Sequence, residues 1–202
     1  MSERFDGSFT QQEPIPEEGI AAAVEVMRHG RLHRYNTTPG EVAEAVLLEQ
    51  EFASLTGARY CLAVASGGYA LGCALRALGV QAGEAVLTNA FTLAPVPGAI
   101  AALGARPVFV EITDNLVLDF TDLAAKAKAS GARVLMLSHM RGHFCDMGAL
   151  MALCDRLGLR VIEDCAHTMG AIGTGCRRGG TGWWAAIRCR PTSISIRARV
   201  AC

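Results

Sequence analysis

Residues 133–165, RVLMLSHMRGHFCDMGALMALCDRLGLRVIEDC, contain the structural unit on which the fold prediction rests. The unit begins and ends with short runs rich in Val, Ile and Leu, namely RVLMLSH at 133–139 and RVIEDC at 160–165. Between them lies DMGALMALCDRLG, whose mixture of apolar and polar residues is typical of an amphipathic helix. Short apolar strands joined by a helix indicate neighbouring parallel strands in a sheet that is covered on both faces.

The same alternation of helices and strands extends upstream of this unit. In chain order we predict helices at 17–29 and 41–56, a strand at 60–65, a helix after the SGG turn, a strand at 85–88, a helix at 93–103, a strand at 106–112 and a helix around DLAAKAKA. The pattern predicts an α/β fold with a mainly parallel sheet and helices on both faces. Such sheets bind ligands at the carboxyl ends of their strands, so we expect functional residues just after strands.

The charge of the chain is unevenly distributed. The chain has 202 residues, 51% of them hydrophobic, which suits one α/β domain with a sizeable core. The net charge is zero, yet residues 172–202 carry six Arg and no acidic residue, and all 19 acidic side chains lie in residues 1–171. This asymmetry indicates either a nucleic-acid-binding tail or two segments of different origin.

The sequence also bears on cellular location. The N-terminal stretch MSERFDGSFTQQEPIPEE is polar and acidic, so we expect no signal peptide. Charges or Gly interrupt every apolar stretch, so we expect no membrane span. Most of the eight Cys lie in apolar strand-like or helical runs, among them Cys61, Cys73, Cys154 and Cys165. We therefore expect reduced thiols and a cytoplasmic protein.

Two groups of polar residues follow predicted strands and could hold a ligand. In Ser66-Gly67-Gly68, between a strand and a helix, backbone N–H groups could approach a phosphate, although a tight turn that needs Gly is an equally good explanation. Glu163-Asp164 ends the strand RVIEDC, and His167 follows. A carboxylate there can pair with a protonated ring nitrogen, but a helix N-cap or a surface carboxylate is at least as good an explanation.

Two histidines after a strand raise the possibility of zinc. His139 and His143 are four residues apart, and Cys145 is nearby. A zinc site would need a helix to bring both histidines onto one face. Gly142 after a strand favours a loop instead, and hence a structural or substrate-binding role.

The segment TNAFTL at 88–93 follows another strand. Phe91 or Leu93 could lie against a flat ring, and ordinary core packing explains either residue equally well.

The order and spacing of these segments resemble one enzyme family. PIPEE near the start is followed by ASGGYAL, GVQAGEAVLTNAFTLAPVPGAI, GARPVFVEI, LSHMRGHFCDM and VIEDCAHTMGA. From about Pro14 to Ala171 the chain resembles the DegT/DnrJ/EryC1/StrS aminotransferases. The resemblance implies a fold-type I enzyme that uses pyridoxal 5'-phosphate (PLP), forms a homodimer, and aminates a nucleotide-linked keto-sugar with an amino-acid donor.

The resemblance implies roles for five residues. Gly67 and Gly68 occupy the turn that holds the cofactor phosphate, and Gly68 replaces a Thr, so a hydroxyl contact is lost. Asp164 matches the carboxylate that pairs with the pyridine nitrogen, and His167 lies beside the phenolic oxygen. Leu93 aligns with the aromatic residue that stacks on the ring, so we expect weaker stacking.

The lysine that this chemistry requires is missing. A PLP transaminase needs a lysine that forms the Schiff base and then moves a proton between two carbon atoms. The chain has only Lys126 and Lys128, both in the helix around DLAAKAKA and upstream of Asp164. In the family the lysine follows the aspartate motif, in a segment that ends Lys-x-x-x-x-Gly-Glu-Gly-Gly. Residues 172–202 lack this segment, so we expect no Schiff-base lysine and no transaminase activity.

The genetic code offers an explanation for this loss. If each intended codon takes the third base of one codon and the first two bases of the next, Trp183-Trp184-Ala185 must give Val-Gly. The same shift allows Arg190 to Cys202 to give Thr-Tyr-Lys-His-Ile-Asn-Ser-Gly-Glu-Gly-Gly-Leu, with the Lys codon spanning Thr192 and Ser193. We therefore predict a frame change near residue 172. The Arg-rich tail is then out-of-frame translation, and it carries no motif typical of nucleic-acid binding.

These inferences predict a partial PLP-binding large domain at 1–171 and an aberrant, disordered tail at 172–202. The remaining strands and the small C-terminal domain are expected to be missing, which disfavours the homodimer and favours aggregation. We expect neither nucleic acid nor a membrane as a partner. Two alternatives stay open: a non-catalytic PLP or sugar-nucleotide binding module, and a Rossmann-like nucleotide-binding domain. The lack of a G-x-G-x-x-G fingerprint argues against the second.

Overall fold

The computed structural model describes residues 14–168, 184–189 and 193–198. The chain divides into two compact units, Met1–Glu44 and Ala45–Cys202. In the first unit, helix α1 spans Glu17–His29 and ends at Gly30, whose left-handed φ of 71° only glycine adopts without strain.

A carboxylate organises the loop that follows α1. Glu41 Oε1 accepts a hydrogen bond from Arg31 Nη2 at 2.9 Å, and Glu41 Oε2 accepts from the Thr38 N–H at 2.8 Å and from the Thr38 hydroxyl at 2.7 Å. These donors, Arg31 first, lower the pKa of Glu41 to about 2. The loop is therefore held by a carboxylate that stays charged in mild acid.

The rest of the chain alternates helices and strands, as the sequence pattern predicts. The helices are α2 at Glu44–Thr56, α3 at Gly67–Ala77, α4 at Pro95–Ala102, α5 at Phe120–Ser130 and α6 at Met147–Leu157, with a 3-10 turn at Met140–Gly142. The strands are β1 at Tyr60–Val64, β2 at Ala85–Asn89, β3 at Arg106–Val110, β4 at Val134–Ser138, β5 at Arg160–Asp164, β6 at Trp184–Cys189 and β7 at Ser193–Ala198.

The predicted bounds differ from the observed ones mainly at helix starts. Helix α2 begins at Glu44 rather than at residue 41, because the Glu41 N–H bonds the Thr38 carbonyl in a turn. Among the described residues, no helix combines the length and the apolar character that crossing a membrane requires.

The strands of the described residues form one sheet in the order β1-β7-β6-β5-β4-β2-β3. The neighbours from β6 to β3 are all parallel, and β7 runs antiparallel to both β1 and β6. The chain moves outward from β2 to β3 and then returns across β2 to β4. The strand order therefore reverses between β2 and β4, and open α/β sheets bind ligands outside the carboxyl ends of strands at such a reversal.

Helices cover both faces of the sheet, which confirms the predicted α/β class. On one side, called the α3 face, α3 and α4 pack with Met136 and Ile162 in a buried core. On the other, called the α5 face, α5 and α6 pack with Leu135 and Val161. Successive residues of a strand point to opposite faces, so β4 is buried throughout and shows no polar alternation.

Two described strands, β6 and β7, lie within residues 172–202. β6 pairs in parallel with β5, and β7 lies between β6 and β1. The sequence of β7, SISIRA, alternates polar and apolar residues with the two-residue period of a strand. Pairing also satisfies backbone groups that the edges of β5 and β1 would otherwise leave open. The rest of residues 172–202 lies outside the described residues.

Candidate active site

The turn between β1 and α3 contains the predicted phosphate-binding residues. Ser66 is extended, and its Oγ accepts a hydrogen bond from the Tyr69 N–H at 3.2 Å. This hydroxyl caps α3, which begins at Gly67. Gly67 and Gly68 are half-buried in the first turn, where helix N–H groups point towards solvent and attract anions.

The backbone does not require glycine at position 68. Gly68 has no positive φ, and a Cβ built on it meets nothing within 4 Å. The backbone and its surroundings therefore leave room for a side chain to begin there. The missing hydroxyl is thus a chemical difference from the family pattern rather than a steric necessity.

Asp164 is the last residue of β5 and has a defined orientation. Its Oδ1 accepts a hydrogen bond from the Ala166 N–H at 3.1 Å, and its Oδ2 accepts from the Ser138 hydroxyl at 3.2 Å. The side chain is half-buried and, by strand alternation, shares the α3 face with Ile162. Among the described residues no helix begins at Asp164, and its half-buried, hydrogen-bonded carboxylate is not a freely solvated surface group.

Asn89, a residue that the sequence motifs do not single out, connects β2 to β4. Its Oδ1 accepts from the Ser138 N–H at 2.8 Å, and its Nδ2 donates to the Ser138 carbonyl at 3.0 Å. Asn89 and Ser138 are both buried. The available sequence signal is a polar residue at the last position of a strand that begins with apolar residues, as in AVLTN and VLMLS.

Glu163, which precedes Asp164 on β5, forms a buried pair with His139. His139 Nε2 and Glu163 Oε2 are 3.0 Å apart, and both side chains are almost fully buried. The His139 ring also packs against Phe144 at 4.7 Å, and the His139 N–H donates to the Asp164 carbonyl at 3.1 Å. This pair ties the end of β4 to the end of β5.

The structure separates the residues of the zinc hypothesis. His143 packs edge-to-face on Phe91, with ring centroids 6.1 Å apart, while His139 pairs with Glu163. In the described part of the chain, one group of three potential ligands lies within 4.8 Å, namely His139, Glu163 and Cys165.

The chemistry of that group does not favour a metal. Burial, reinforced by the negative charge of Glu163, raises the pKa of the Cys165 thiol far above its ordinary range. A thiol must lose its proton to bind a metal. The histidine and the carboxylate already lie at hydrogen-bond distance, so a hydrogen-bonded pair accounts for the geometry.

His167 lies on the loop that follows β5. It is exposed, and its Nδ1 accepts a hydrogen bond from the Arg141 N–H at 3.2 Å. Arg141 presents that N–H from a left-handed conformation, φ 53° and ψ 25°. An acceptor role for Nδ1 places the proton of the neutral ring on Nε2, which is then available as a donor.

Leu93 and Phe91 occupy different surroundings after β2. Leu93 is 45% exposed just before α4, whereas Phe91 is half-buried against His143. Of the two, Leu93 offers an accessible apolar surface to a flat ring.

Among the described residues, the buried Oγ1 atoms of Thr88 and Thr92 lack a hydrogen-bond partner. Thr88 is fully buried and, by strand alternation, shares the α3 face with Asp164. Buried hydroxyls normally find a partner, so these atoms are suited to contact a polar ligand or a bound water.

The lysines lie elsewhere. Lys126 is on α5, on the face of the sheet opposite α3, and its Nζ lies 2.8 Å from Asp122 Oδ2. It is therefore engaged in an ion pair on the α5 face, whereas Asp164 lies on the α3 face.

A family model for the DegT/DnrJ/EryC1/StrS aminotransferases matches residues 14–189. The chain belongs to this family. The match confirms the resemblance given by the sequence motifs. It also extends past residue 171, where those motifs end, to the last residue of β6.

Curated members of the family align with most of this chain. A dTDP-3-amino-3,4,6-trideoxy-alpha-D-glucose transaminase of Micromonospora megalomicea subsp. nigra is 38% identical over 146 residues, which cover 72% of this chain and 39% of the relative. A UDP-2-acetamido-2-deoxy-3-oxo-D-glucuronate aminotransferase of Pseudomonas aeruginosa is 34% identical over 167 residues, covering 83% and 45%. The chain thus spans less than half the length of these relatives.

Solved family structures share the fold. An aminotransferase from Psychrobacter cryohalolentis superposes with a TM-score of 0.81 at 26% identity, over 95% of this chain and 49% of that structure. A 3-amino-5-hydroxybenzoic acid synthase gives a TM-score of 0.82 at 28% identity, over 95% and 50%. This likeness confirms the predicted fold class, that of a PLP-dependent aminotransferase large domain.

The residues present fit the noncovalent requirements of the family cofactor. The first turn of α3 suits its phosphate, the Asp164 carboxylate suits its pyridine nitrogen, and the Thr88 hydroxyl is a buried polar atom that lacks a partner. The covalent requirement is not met by Lys126, which lies on the α5 face.

Proposed function

We propose that this chain is the cofactor-binding part of a PLP-dependent aminotransferase that acts on a nucleotide-linked keto-sugar with an amino-acid donor. The observation that carries the proposal is the Asp164 carboxylate, fixed by Ser138 and Ala166 at the carboxyl end of β5 on the α3 face. The relatives that are transaminases of dTDP- and UDP-linked sugars support the substrate class.

Each predicted residue has a role that its surroundings support. The Asp164 carboxylate would accept a hydrogen bond from the protonated pyridine nitrogen and keep it protonated, and the N–H groups of Gly67 and Gly68 would bind the phosphate. His167 would donate its Nε2 proton to the phenolic oxygen, because its Nδ1 already accepts from Arg141. Leu93 would provide an apolar surface for the ring. When bound, PLP supplies the electron sink that allows an amino group to move between two carbon atoms.

We also propose that the chain as given is inactive as a transaminase. Lys126 is held in an ion pair with Asp122, and Lys128 follows it on the same outer helix. Neither residue can replace a lysine placed beyond Asp164 in the sequence. A continuous assay with glutamate and a nucleotide-linked keto-sugar should therefore give no turnover, and turnover that requires PLP would contradict the proposal.

The lysine segment is proposed to persist in a neighbouring reading frame. The support is the run Thr-Tyr-Lys-His-Ile-Asn-Ser-Gly-Glu-Gly-Gly-Leu that residues 190–202 permit after a one-base shift. The DNA around codon 172 decides this point. Restoring the frame should yield a chain that binds PLP covalently, and changing the restored lysine to arginine should abolish that linkage. If neither neighbouring frame encodes Tyr-Lys-His, the frame-change account is wrong.

A second candidate function is noncovalent binding of PLP or a sugar nucleotide without catalysis. The half-buried α3 N-terminus and the orphaned Thr88 hydroxyl favour it, because they offer a polar ligand a site that needs no lysine. Saturable PLP binding without turnover would identify this function. A cytoplasmic location also remains a proposal, which cell fractionation would test. The homodimer that the family implies is disfavoured for this chain, and sedimentation would test its absence.

A further inference from the structure

The sheet opens at its carboxyl end between β2 and β4. Backbone pairing of these strands joins Leu87 to Leu135 and Thr88 to Met136. By contrast, the ladder between β4 and β5 continues to the pair Ser138 and Asp164. The opening therefore coincides with the point where the strand order reverses, which is the usual ligand position in such sheets.

The side chain of Asn89 bridges this opening. Its amide takes the place of a backbone partner, since Oδ1 accepts from the Ser138 N–H at 2.8 Å and Nδ2 donates to the Ser138 carbonyl at 3.0 Å. The same Nδ2 donates to the Phe91 carbonyl at 2.7 Å, which also fixes the chain just after β2. Asn89 is 3% exposed and Ser138 is 6% exposed, so water competes little for these bonds.

Ser138, held in this way, is hydrogen-bonded to Asp164. Its hydroxyl donates to Asp164 Oδ2 at 3.2 Å, while the Ala166 N–H donates to Oδ1 at 3.1 Å. Each carboxylate oxygen thus has one protein donor and keeps lone pairs for a further one. Two donors on different oxygens fix the plane of the carboxylate.

We propose that Asn89 and Ser138 are positioning residues that orient the Asp164 carboxylate towards the pyridine nitrogen of the cofactor. Asn89 fixes the backbone of Ser138, and the Ser138 hydroxyl fixes the carboxylate. This inference rests on the proposed function, because it assumes that Asp164 meets a pyridine nitrogen. Without the two residues Asp164 could rotate, and its contact with the ring nitrogen would weaken.

The variants Ser138→Ala and Asn89→Asp test the proposal in the 202-residue chain. The first removes the hydroxyl, and the second is isosteric but replaces the donor to the Ser138 carbonyl with a carboxylate oxygen. Ser130→Ala is the matched control, because it also removes a hydrogen-bonded serine hydroxyl, one that contacts Lys126 and Ala132 at the far end of α5. The variant Asp164→Ala shows whether PLP affinity depends on the Asp164 carboxylate.

Two readouts on PLP itself distinguish positioning from a general loss of stability. In titrations followed by absorbance, Ser138→Ala and Asn89→Asp should weaken PLP affinity about three- to tenfold, the range expected for one net hydrogen bond. With ring-labelled ¹⁵N PLP, the nitrogen signal should shift towards the unprotonated form in both variants. Ser130→Ala should match the unmodified chain in both readouts.

A third readout needs no cofactor. In the protein without PLP, the ¹³C carboxyl resonance of Asp164 should change in Ser138→Ala and stay unchanged in Ser130→Ala. An unchanged resonance in both Ser138→Ala and Asn89→Asp would overturn the positioning role. Loss of PLP binding in Asp164→Ala but not in Ser138→Ala would also overturn it, and would leave the proposed function intact. Equal PLP affinity in Asp164→Ala and the unmodified chain would instead overturn the proposed function.

Discussion

At the scale of single residues, position at the end of a strand decides which side chains can meet a ligand. Asn89, Ser138 and Asp164 are the last residues of β2, β4 and β5. The family motif is sufficient to predict the role of Asp164 from the sequence. It does not predict the contact of Asp164 with Ser138 or the contact of Ser138 with Asn89, because these residues lie on strands 26 and 75 residues away from Asp164 in the chain and their contacts depend on the strand order.

Restoring a hydroxyl at position 68 should strengthen phosphate binding. Gly68→Thr places a side chain where a Cβ meets nothing within 4 Å, and the new hydroxyl can donate to an anion at the start of α3. We expect PLP affinity to rise severalfold while the free energy of unfolding changes by less than about 1 kcal/mol. Titrations with PLP and with inorganic phosphate, together with urea unfolding, provide the test.

Gly98→Thr is the control for this change. It makes the same substitution at an exposed position of α4 that is also open, and it should leave PLP affinity unchanged. An unchanged affinity in Gly68→Thr would argue against phosphate binding at the α3 N-terminus.

The buried pair of His139 and Glu163 should contribute measurably to stability. Glu163→Leu removes the carboxylate that lies 3.0 Å from the His139 ring nitrogen and leaves a buried polar atom without that partner. We expect a loss of about 1–3 kcal/mol in the free energy of unfolding, measured in urea. Glu163→Gln keeps an acceptor at the same place and should cost less than half as much; equal losses would argue against the hydrogen bond.

At the scale of elements, the sequence predicts the strands up to β5 well and the helix starts less well. Short apolar runs bounded by Gly and polar residues determine β1 to β5, whereas the start of α2 depends on the turn at Glu41. The alternation of helices and strands in the sequence does not predict β6 and β7. Their pairing with β5 and β1 is long-range, and local periodicity carries little information about such contacts.

Helix α5 should carry an acid-sensitive contribution to stability. The Asp122 carboxylate accepts a hydrogen bond from the Glu111 N–H at 2.7 Å and pairs with Lys126, and both, the first more strongly, lower the pKa of Asp122 below its ordinary 3.8. A lowered folded-state pKa stabilises the protein above the unfolded-state value and loses that effect as the pH falls through the folded-state value.

The variant Asp122→Asn tests the direction of this pH dependence of stability. The variant should be less stable than the unmodified chain in urea at pH 7, and the difference should shrink as the pH falls below about 4. Asp114→Asn, at an exposed position in the turn before α5, is the control for the loss of one carboxylate charge. A difference for Asp122→Asn that grows in acid would contradict the assignment.

At the scale of the whole molecule, the sheet order creates the candidate site. The turn proposed to bind the phosphate precedes α3, and the Asp164 carboxylate ends β5; these two elements are distant in sequence and share one face of the sheet. The sequence predicts the α/β class because alternating elements allow few topologies. It does not predict the opening between β2 and β4, since that opening depends on a crossover and on the Asn89 amide.

Binding of PLP to the folded chain should raise its thermal stability. A ligand at about 100 times its Kd adds about 2.7 kcal/mol, which corresponds to a rise in Tm of about 5–10 °C for a chain of this size. Differential scanning fluorimetry with PLP, and with pyridoxal as the control without phosphate, measures the effect. Pyridoxal should give a smaller shift, because it lacks the group that the α3 N-terminus binds, and an equal shift would contradict that assignment.

The central claim is that this chain retains the noncovalent cofactor site of its family and lacks the lysine that would hold PLP covalently. Borohydride reduction of the purified chain with PLP, followed by peptide mass spectrometry, tests it most directly. We predict that PLP binds saturably, that dialysis removes it after reduction, and that neither Lys126 nor Lys128 carries a pyridoxyl group. A stoichiometric pyridoxyl adduct on either lysine, lost in the Asp164→Ala variant, would contradict the claim.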